Sequence, residues 1–194
     1  QECALCGSLS AMPKLCAACY EVPPTTPPDA REANLMRLAR DGANDSRIQT
    51  IARGLYAMLA ERLGRTPTRE ELVQWLMDAV HLLMDYAPDP PGLEVFQTVQ
   101  WSIGGECGFS VSPITGNRKG CGDCEDLATL LVCLCLCLGI TARVKWIEQK
   151  GSPLNHVAAL VLFDDQRPDD PRAWRCTDAT IPGARVGETP YEAL

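Results

Sequence analysis

Histidine is scarce in this sequence: two among 194 residues, His81 and His156. Any imidazole chemistry must therefore use one of those two positions. Basic charge is also in deficit, with 18 Lys and Arg against 25 Asp and Glu and a formal net charge of −7. That balance argues against a nucleic-acid-binding surface, which carries a basic footprint. No run reaches the roughly 18 uninterrupted apolar residues of a membrane helix. The opening "QECALCGSLS" lacks the basic and apolar regions of a signal peptide. The expected setting is cytoplasmic, with no membrane partner. Internal repeats and charge blocks are missing too, and aromatics are only 6%. With 46% hydrophobic residues the composition is still that of a globular chain, long enough for one good core and a small appendage.

What the sequence has in abundance is cysteine, 11 in all. Cys3, Cys6, Cys16 and Cys19 spell Cys-x2-Cys-x9-Cys-x2-Cys within the first twenty residues. Paired thiolates at this spacing can converge tetrahedrally on one Zn²⁺, giving a closed structural site without catalytic work. Two disulfides, or free thiols, are the alternative. A segment this short cannot bury a core, so zinc would supply its folding energy. Lys14 is the only basic residue among the first twenty, which makes nucleic acid a poor partner for such a knuckle. "YEVPPTTPPDA" follows, with four prolines in six residues that enforce an extended path. The expected division is a zinc knuckle at 1–20, a Pro-rich linker at 21–30 and a main domain at 31–194.

From Arg31 to about Tyr86 the periodicity is helical. One stripe holds Leu35, Leu38 and Ala39 and stops at Gly42; a second holds Ile48, Ile51, Leu55, Leu59 and Leu63, opens at an Asp/Ser cap and stops at Gly64. A third, capped by Thr66 or Thr68, places Leu72, Trp75, Leu76, Ala79, Leu83 and Tyr86 on one side. His81 lies on this third helix without ligand types beside it, which suits packing or surface better than chemistry.

"GNRKGCGDCEDLATLLVCLCLCLGITARV" is the most informative stretch. Its "LCLCLCLG" alternates like a strand, yet Cys124 to Leu138 is an unbroken apolar-rich run too long for most strands. Asp123-x-x-Asp126 resembles a capping box at its start and Gly139 is a natural stop. A helix apolar on all sides must be central and buried, with Cys133, Cys135 and Cys137 acting as small hydrophobes. Cys124 sits at its first position, where free backbone N–H groups and the helix dipole favour a thiolate of depressed pKa. It is therefore expected to react before Cys133, Cys135 and Cys137. A base is available in His156, which opens the β-type run "HVAALVLF", and an orienting acid in Asp178, at the end of "WRCTDAT". Cys, His and Asp in this order make a triad for nucleophilic acyl chemistry. Cys121-x-x-Cys124 also permits a redox pair or second metal site, which Cys107 and Cys176 could join.

The segments "GCGDCEDLATLLVCLCLCLGITARVKW", "NHVAALVLF" and "AWRCTDAT" together resemble the transglutaminase-like cysteine peptidase superfamily. Its pattern of G-x-C at a helix start, LGI-x-A-R, H-V and W-x-x-x-D occurs here in order. "MDYAPDPPGLEVFQTVQW" and "LMRLARDGANDSRIQTIARGL" are similar to the segments before the nucleophile in phage and bacterial versions, so the resemblance runs from about Arg31 to Tyr191. It implies an α+β fold with a papain/transglutaminase-like core: a central helix packed on an antiparallel sheet, a helical part at 31–86 and a catalytic core at 87–194. The implied triad is Cys124, His156 and Asp178, with Gln97 and Trp101 as oxyanion candidates by position. The implied activity is thiol chemistry on an amide bond of a protein or peptide substrate, as protease, amidase or transglutaminase. A knuckle before such a core resembles peptide N-glycanases, but here it precedes the linker and the helical part. A different class stays open: a phage virion or assembly component that uses the fold for binding other virion proteins, its triad idle or used only in maturation.

Overall fold

A computed structural model describes residues 19–23, 25–89, 94–104, 110–148 and 155–188. The architecture is mixed α+β, as expected. Of the proposed zinc ligands, Cys3, Cys6 and Cys16 lie outside the described residues, and so does Cys107. Cys19 enters only through its backbone, as the first residue of strand β1 (Cys19–Glu21). That strand is followed by Val22, which is buried in the core, and helix α1 (Pro28–Ala43) begins on the last proline of the Pro-rich run. Pro is well suited there, since the N–H it lacks would find no partner at a helix start. The segment expected as a linker is thus tied down at both ends.

Helix α2 (Ser46–Leu63) starts where Asp45 accepts the N–H groups of Arg47 and Ile48 at 2.8 and 3.3 Å. Helix α3 (Arg69–Leu83) opens with a reciprocal capping box between Thr68 and Glu71. This resolves the choice between Thr66 and Thr68. Strands β2 (Met84–Tyr86) and β3 (Val95–Gln97) and the short helix α4 (Val99–Gly104) follow, then β4 (Gly120–Gly122), which leads straight into helix α5 (Cys124–Cys137). The length argument for a helix over a strand holds. Among the described residues no helix is long and apolar enough to cross a membrane.

Helix α5 is the axis of the core. Leu127, Leu130, Leu131, Val132, Cys133, Leu134 and Cys135 are each at most 1% exposed, and α1, α2, α3, α4 and the sheet all pack on it. It ends at Cys137 with Leu138 as its C-cap, and Gly139 follows at φ 73°, a left-handed conformation that favours glycine. Asp123 at its start makes no side-chain capping bond. The Asp126 carboxyl does take the Asp123 N–H, so the reverse half of the expected capping box is present. Strands β5 (Ala142–Glu148), β6 (Asn155–Leu162) and β7 (Trp174–Thr177) form an antiparallel sheet with β6 central, pairing Ile147 with His156 and Ala159 with Thr177. Val157, Ala159 and Val161 join the main core, while Ala158 and Leu160 join Ile147 and Cys176 in a second cluster. Two-sided burial explains why β6 reads as a continuous apolar run.

Two small pairings position the approach to α5. Strand β1 pairs antiparallel with β3, Cys19 opposite Gln97. Strand β2 pairs parallel with β4, Tyr86 opposite Gly122. Gly120 is pressed against α4 so closely that an added Cβ would lie 1.5 Å from the Ser102 carbonyl oxygen. Gly120→Ala should therefore destabilise the protein by more than about 2 kcal/mol through overpacking. Gly54, inside α2 with nothing within 4 Å of its virtual Cβ, is the control: Gly54→Ala should stabilise by about 0.5–1 kcal/mol. Urea unfolding of both variants checks the pair, and an unchanged midpoint for Gly120→Ala would show that α4 does not seat on β4 this way.

Candidate active site

The sheet supplies an imidazole and its carboxylate. His156 begins the buried part of β6 and Asp178 follows the last residue of β7, and His156 Nε2 lies 2.8 Å from Asp178 Oδ2. Asp178 is 0% exposed. Its other oxygen, Oδ1, accepts the Thr180 hydroxyl at 2.6 Å and the Thr180 N–H at 2.9 Å. Burial pushes the Asp178 carboxyl up, but the hydrogen bonds from His156 and Thr180 outweigh it and hold the group below the usual carboxylate range. Asp178 is thus an ionised acceptor, so Nε2 carries the imidazole hydrogen and Nδ1 is left as the basic nitrogen.

Helix α5 supplies the thiol. Cys124 is its first residue and is a free cysteine. The Val157 N–H, next after His156 on β6, is directed at the sulfur. The thiol also lies 3.1 Å from Glu125 Oε2 and donates to it. Cys121 by contrast is disulfide-bonded, so the Cys121-x-x-Cys124 spacing does not form a redox pair. Cys176 is not drawn toward Cys124 either; it is buried with Ile147, Ala158 and Leu160.

The expected low thiol pKa is overturned. Burial pushes Cys124 up to about 12 and the Asp123 carboxyl adds to the rise; hydrogen bonds with Glu125 and the Val157 N–H offset part of it, and Glu94 raises it least. The favourable helix start is outweighed by desolvation and like charge. The resting group is a thiol. Around it the sequence "GDCED" and two distant acids converge. Glu125 is 2% exposed and held far above the ordinary range, first by burial and then by its hydrogen bond to Asp123. Asp123 is raised by burial. Asp89 is pushed up to about 7 by burial and by Asp123. Glu94 is raised by burial, and its ion pair with the buried Arg31 at 3.3 Å works against the rise. Asp123, Cys124 and Glu125 offer donor atoms all within 4.8 Å of one another, a set that could take a cation. Positive charge brought here would ease the repulsion that keeps the sulfur protonated.

Gln97 was a candidate to hold an oxyanion, yet its amide is engaged: Nε2 donates to Asp126 Oδ2 at 3.0 Å, while the Gln97 N–H donates to Asp126 Oδ1 at 3.1 Å. Both ends of this link are buried. Gln97 therefore clamps the first turn of α5 to β3, and through β3 to β1. Trp101 is half-buried on α4, its N–H bonded to the Thr98 carbonyl at 2.9 Å. His81 is half-buried as a packing residue, its carbonyl accepting Lys119 Nζ at 2.7 Å. Burial pushes its imidazole pKa down, and Asp178 acts on it in the opposite sense, which places the second histidine within electrostatic reach of the first one's partner. The residues missed at the sequence level are Glu125, Asp89 and Glu94. The acids flanking Cys124 were the available signal; Asp89 and Glu94 had none, because only folding brings them there.

Comparison with protein-family models, with curated proteins and with solved structures gave no match in any of the three.

The raised Asp89 has a consequence for stability. A carboxyl whose pKa is higher in the folded state holds its proton there while the unfolded chain has lost it, so stability falls as pH rises from about 4 to about 7. Asp89→Asn removes the ionisation and keeps an oxygen to accept the Val95 N–H. Its Tm should exceed that of the parent by several degrees at pH 8 and by much less at pH 4. An equal difference at both pH values would show that Asp89 ionises normally in the fold.

Proposed function

We propose that the protein is a thiol enzyme of the transglutaminase-like type, acting on amide bonds through Cys124, His156 and Asp178. The observation that carries this reading is the bond between His156 Nε2 and a fully buried, ionised Asp178, with the Cys124 sulfur set against the β6 backbone at the next residue. A buried carboxylate that fixes an imidazole tautomer has little structural purpose on a strand end, and is what a general base requires. A free cysteine at the start of a helix packed on that strand is the matching nucleophile.

In this mechanism the resting thiol gives its proton to His156 Nδ1 as the sulfur attacks the amide carbon. Asp178 stabilises the imidazolium that forms. The Cys124 N–H at the open end of α5 supports the developing oxyanion. His156 then protonates the leaving amine, and the thioester is released by water, as in a protease or amidase, or by a second amine, as in a transglutaminase. The high resting pKa of the thiol fits a concerted transfer better than a standing thiolate–imidazolium pair. The protein or peptide substrate, together with any cation attracted to the acids, would complete the electrostatics. The Gln97–Asp126 clamp acts as a positioning device for the first turn of α5.

The test is covalent capture. A peptide vinyl sulfone should label Cys124, identified by peptide mapping. His156→Ala should slow that labelling by on the order of 100-fold or more, Asp178→Asn should also slow it, and both variants should keep the far-ultraviolet spectrum of the parent. Labelling of Cys124 at the parent rate in His156→Ala would remove the imidazole from the mechanism, and the proposal with it.

A further inference from the structure

The imidazole of the proposed base is held by Asp178, and Asp178 is itself held by a residue two positions further on. Its Oδ1 accepts the Thr180 hydroxyl at 2.6 Å and the Thr180 N–H at 2.9 Å, while Oδ2 meets His156 Nε2 at 2.8 Å. We propose that Thr180 is a positioning residue of the triad, whose hydroxyl fixes the plane of the Asp178 carboxylate so that its second oxygen stays on the imidazole. The inference rests on the proposed triad and adds the group that sets its geometry.

The arrangement is local in origin. In "TDATIPG" the Asp178 side chain takes the N–H two residues on, the turn that short acidic side chains form just past the end of a strand. Ala179, 2% exposed, and Ile181, packed against the main core, anchor the chain on either side of Thr180. Branching at the Thr180 Cβ restricts χ1, so the hydroxyl loses little freedom in meeting the carboxylate. Serine would offer the hydroxyl without that restriction, and valine the shape without the hydroxyl.

Asp178 needs such a hold. It is 0% exposed, and a buried carboxylate is tolerated only where its oxygens have partners. With Oδ1 engaged twice, any rotation of the carboxylate that pulls Oδ2 off the imidazole also breaks the bonds to Thr180. Both Thr180 bonds favour the ionised carboxylate against burial, and an ionised acceptor keeps the imidazole hydrogen on Nε2. Thr177 supplies the contrast. It directly precedes Asp178 and is 0% exposed, yet its hydroxyl has no hydrogen-bond partner among the described residues. Two threonines flank the carboxylate, and only Thr180 places its hydroxyl on it.

The experiment compares Thr180→Val, Thr180→Ser and Thr177→Val in the full chain. It follows the His156 Nε2 hydrogen by NMR of imidazole-labelled protein near neutral pH, beside labelling of Cys124 by the peptide vinyl sulfone. In Thr180→Val that hydrogen should exchange with water about tenfold faster than in the parent, and Cys124 should label about tenfold more slowly, as expected for loss of one hydrogen bond to a charged group. Thr180→Ser should recover most of both, and Thr177→Val should match the parent in both. Thr180→Ala gives the same comparison if the valine variant folds poorly. Exchange does not involve the sulfur, so the two readings fail separately. Exchange at the parent rate in Thr180→Val, or a loss as large in Thr177→Val or Thr180→Ser, would overturn the role given to Thr180. Faster exchange in Thr180→Val with Cys124 labelling indifferent to His156→Ala would instead overturn the triad that Thr180 is proposed to serve.

Discussion

Burial of helix α5 is the constraint on which the other elements depend. A fourteen-residue helix that is apolar on every side has no face to offer water, so it must be surrounded. Helices α1, α2 and α3 cover part of it, and β5 and β6 close the remainder. Each of those elements is amphipathic or buried on both faces because α5 lies at the centre. The first residue of this helix is Cys124, so the constraint that builds the core also places a thiol where the helix meets the sheet.

The same burial sets a conflict at the helix start. Acids suit the first turn of a helix, and Glu125 and Asp126 lie within it. Both are nevertheless 2% exposed, and desolvation favours their neutral forms. The fold answers with specific partners. Gln97 takes Asp126 through two hydrogen bonds, the Cys124 thiol meets Glu125, and Arg31 offsets Glu94. Arg31 in turn donates to the Thr26 carbonyl and lies over the Trp146 ring. The N-terminal strand, the start of α1 and the thiol's surroundings therefore form one connected polar network. Cys19 joins it through its backbone, as a strand residue opposite Gln97.

The helices were legible because their signals are local. Asp45 and Thr68 cap where a short polar residue before an apolar stripe said they would, and the length of the Cys124–Leu138 run outweighed its strand-like alternation. His156 and Asp178 were legible as residue types in a given order at the ends of apolar runs, and the structure joins them directly. The three-residue strands β1 to β4 were not, because three residues carry no period and their pairing is decided by distant partners. The link between Gln97 and Asp126 was not legible for the same reason: the two are 29 residues apart. The thiol's electrostatics failed most clearly. A helix-start cysteine suggested a low pKa, but burial, which comes from tertiary structure, outweighs the helix start, and the charge of the adjacent Asp123 adds to the rise. Among the described residues, Cys137 at the other end of the helix has a lowered pKa, first through Cys133.

The proposal rests on His156 being held by Asp178 through Nε2, which would leave Nδ1 to take the Cys124 proton. Two histidines in the chain make nitrogen NMR of imidazole-labelled protein a direct test, with His81 as the internal reference. The account predicts a protonated Nε2 and a bare Nδ1 on His156, and a Nδ1 resonance that moves in Cys124→Ala while both His81 signals stay in place. A bare Nε2 on His156, or a Nδ1 resonance indifferent to the loss of the sulfur, would contradict it.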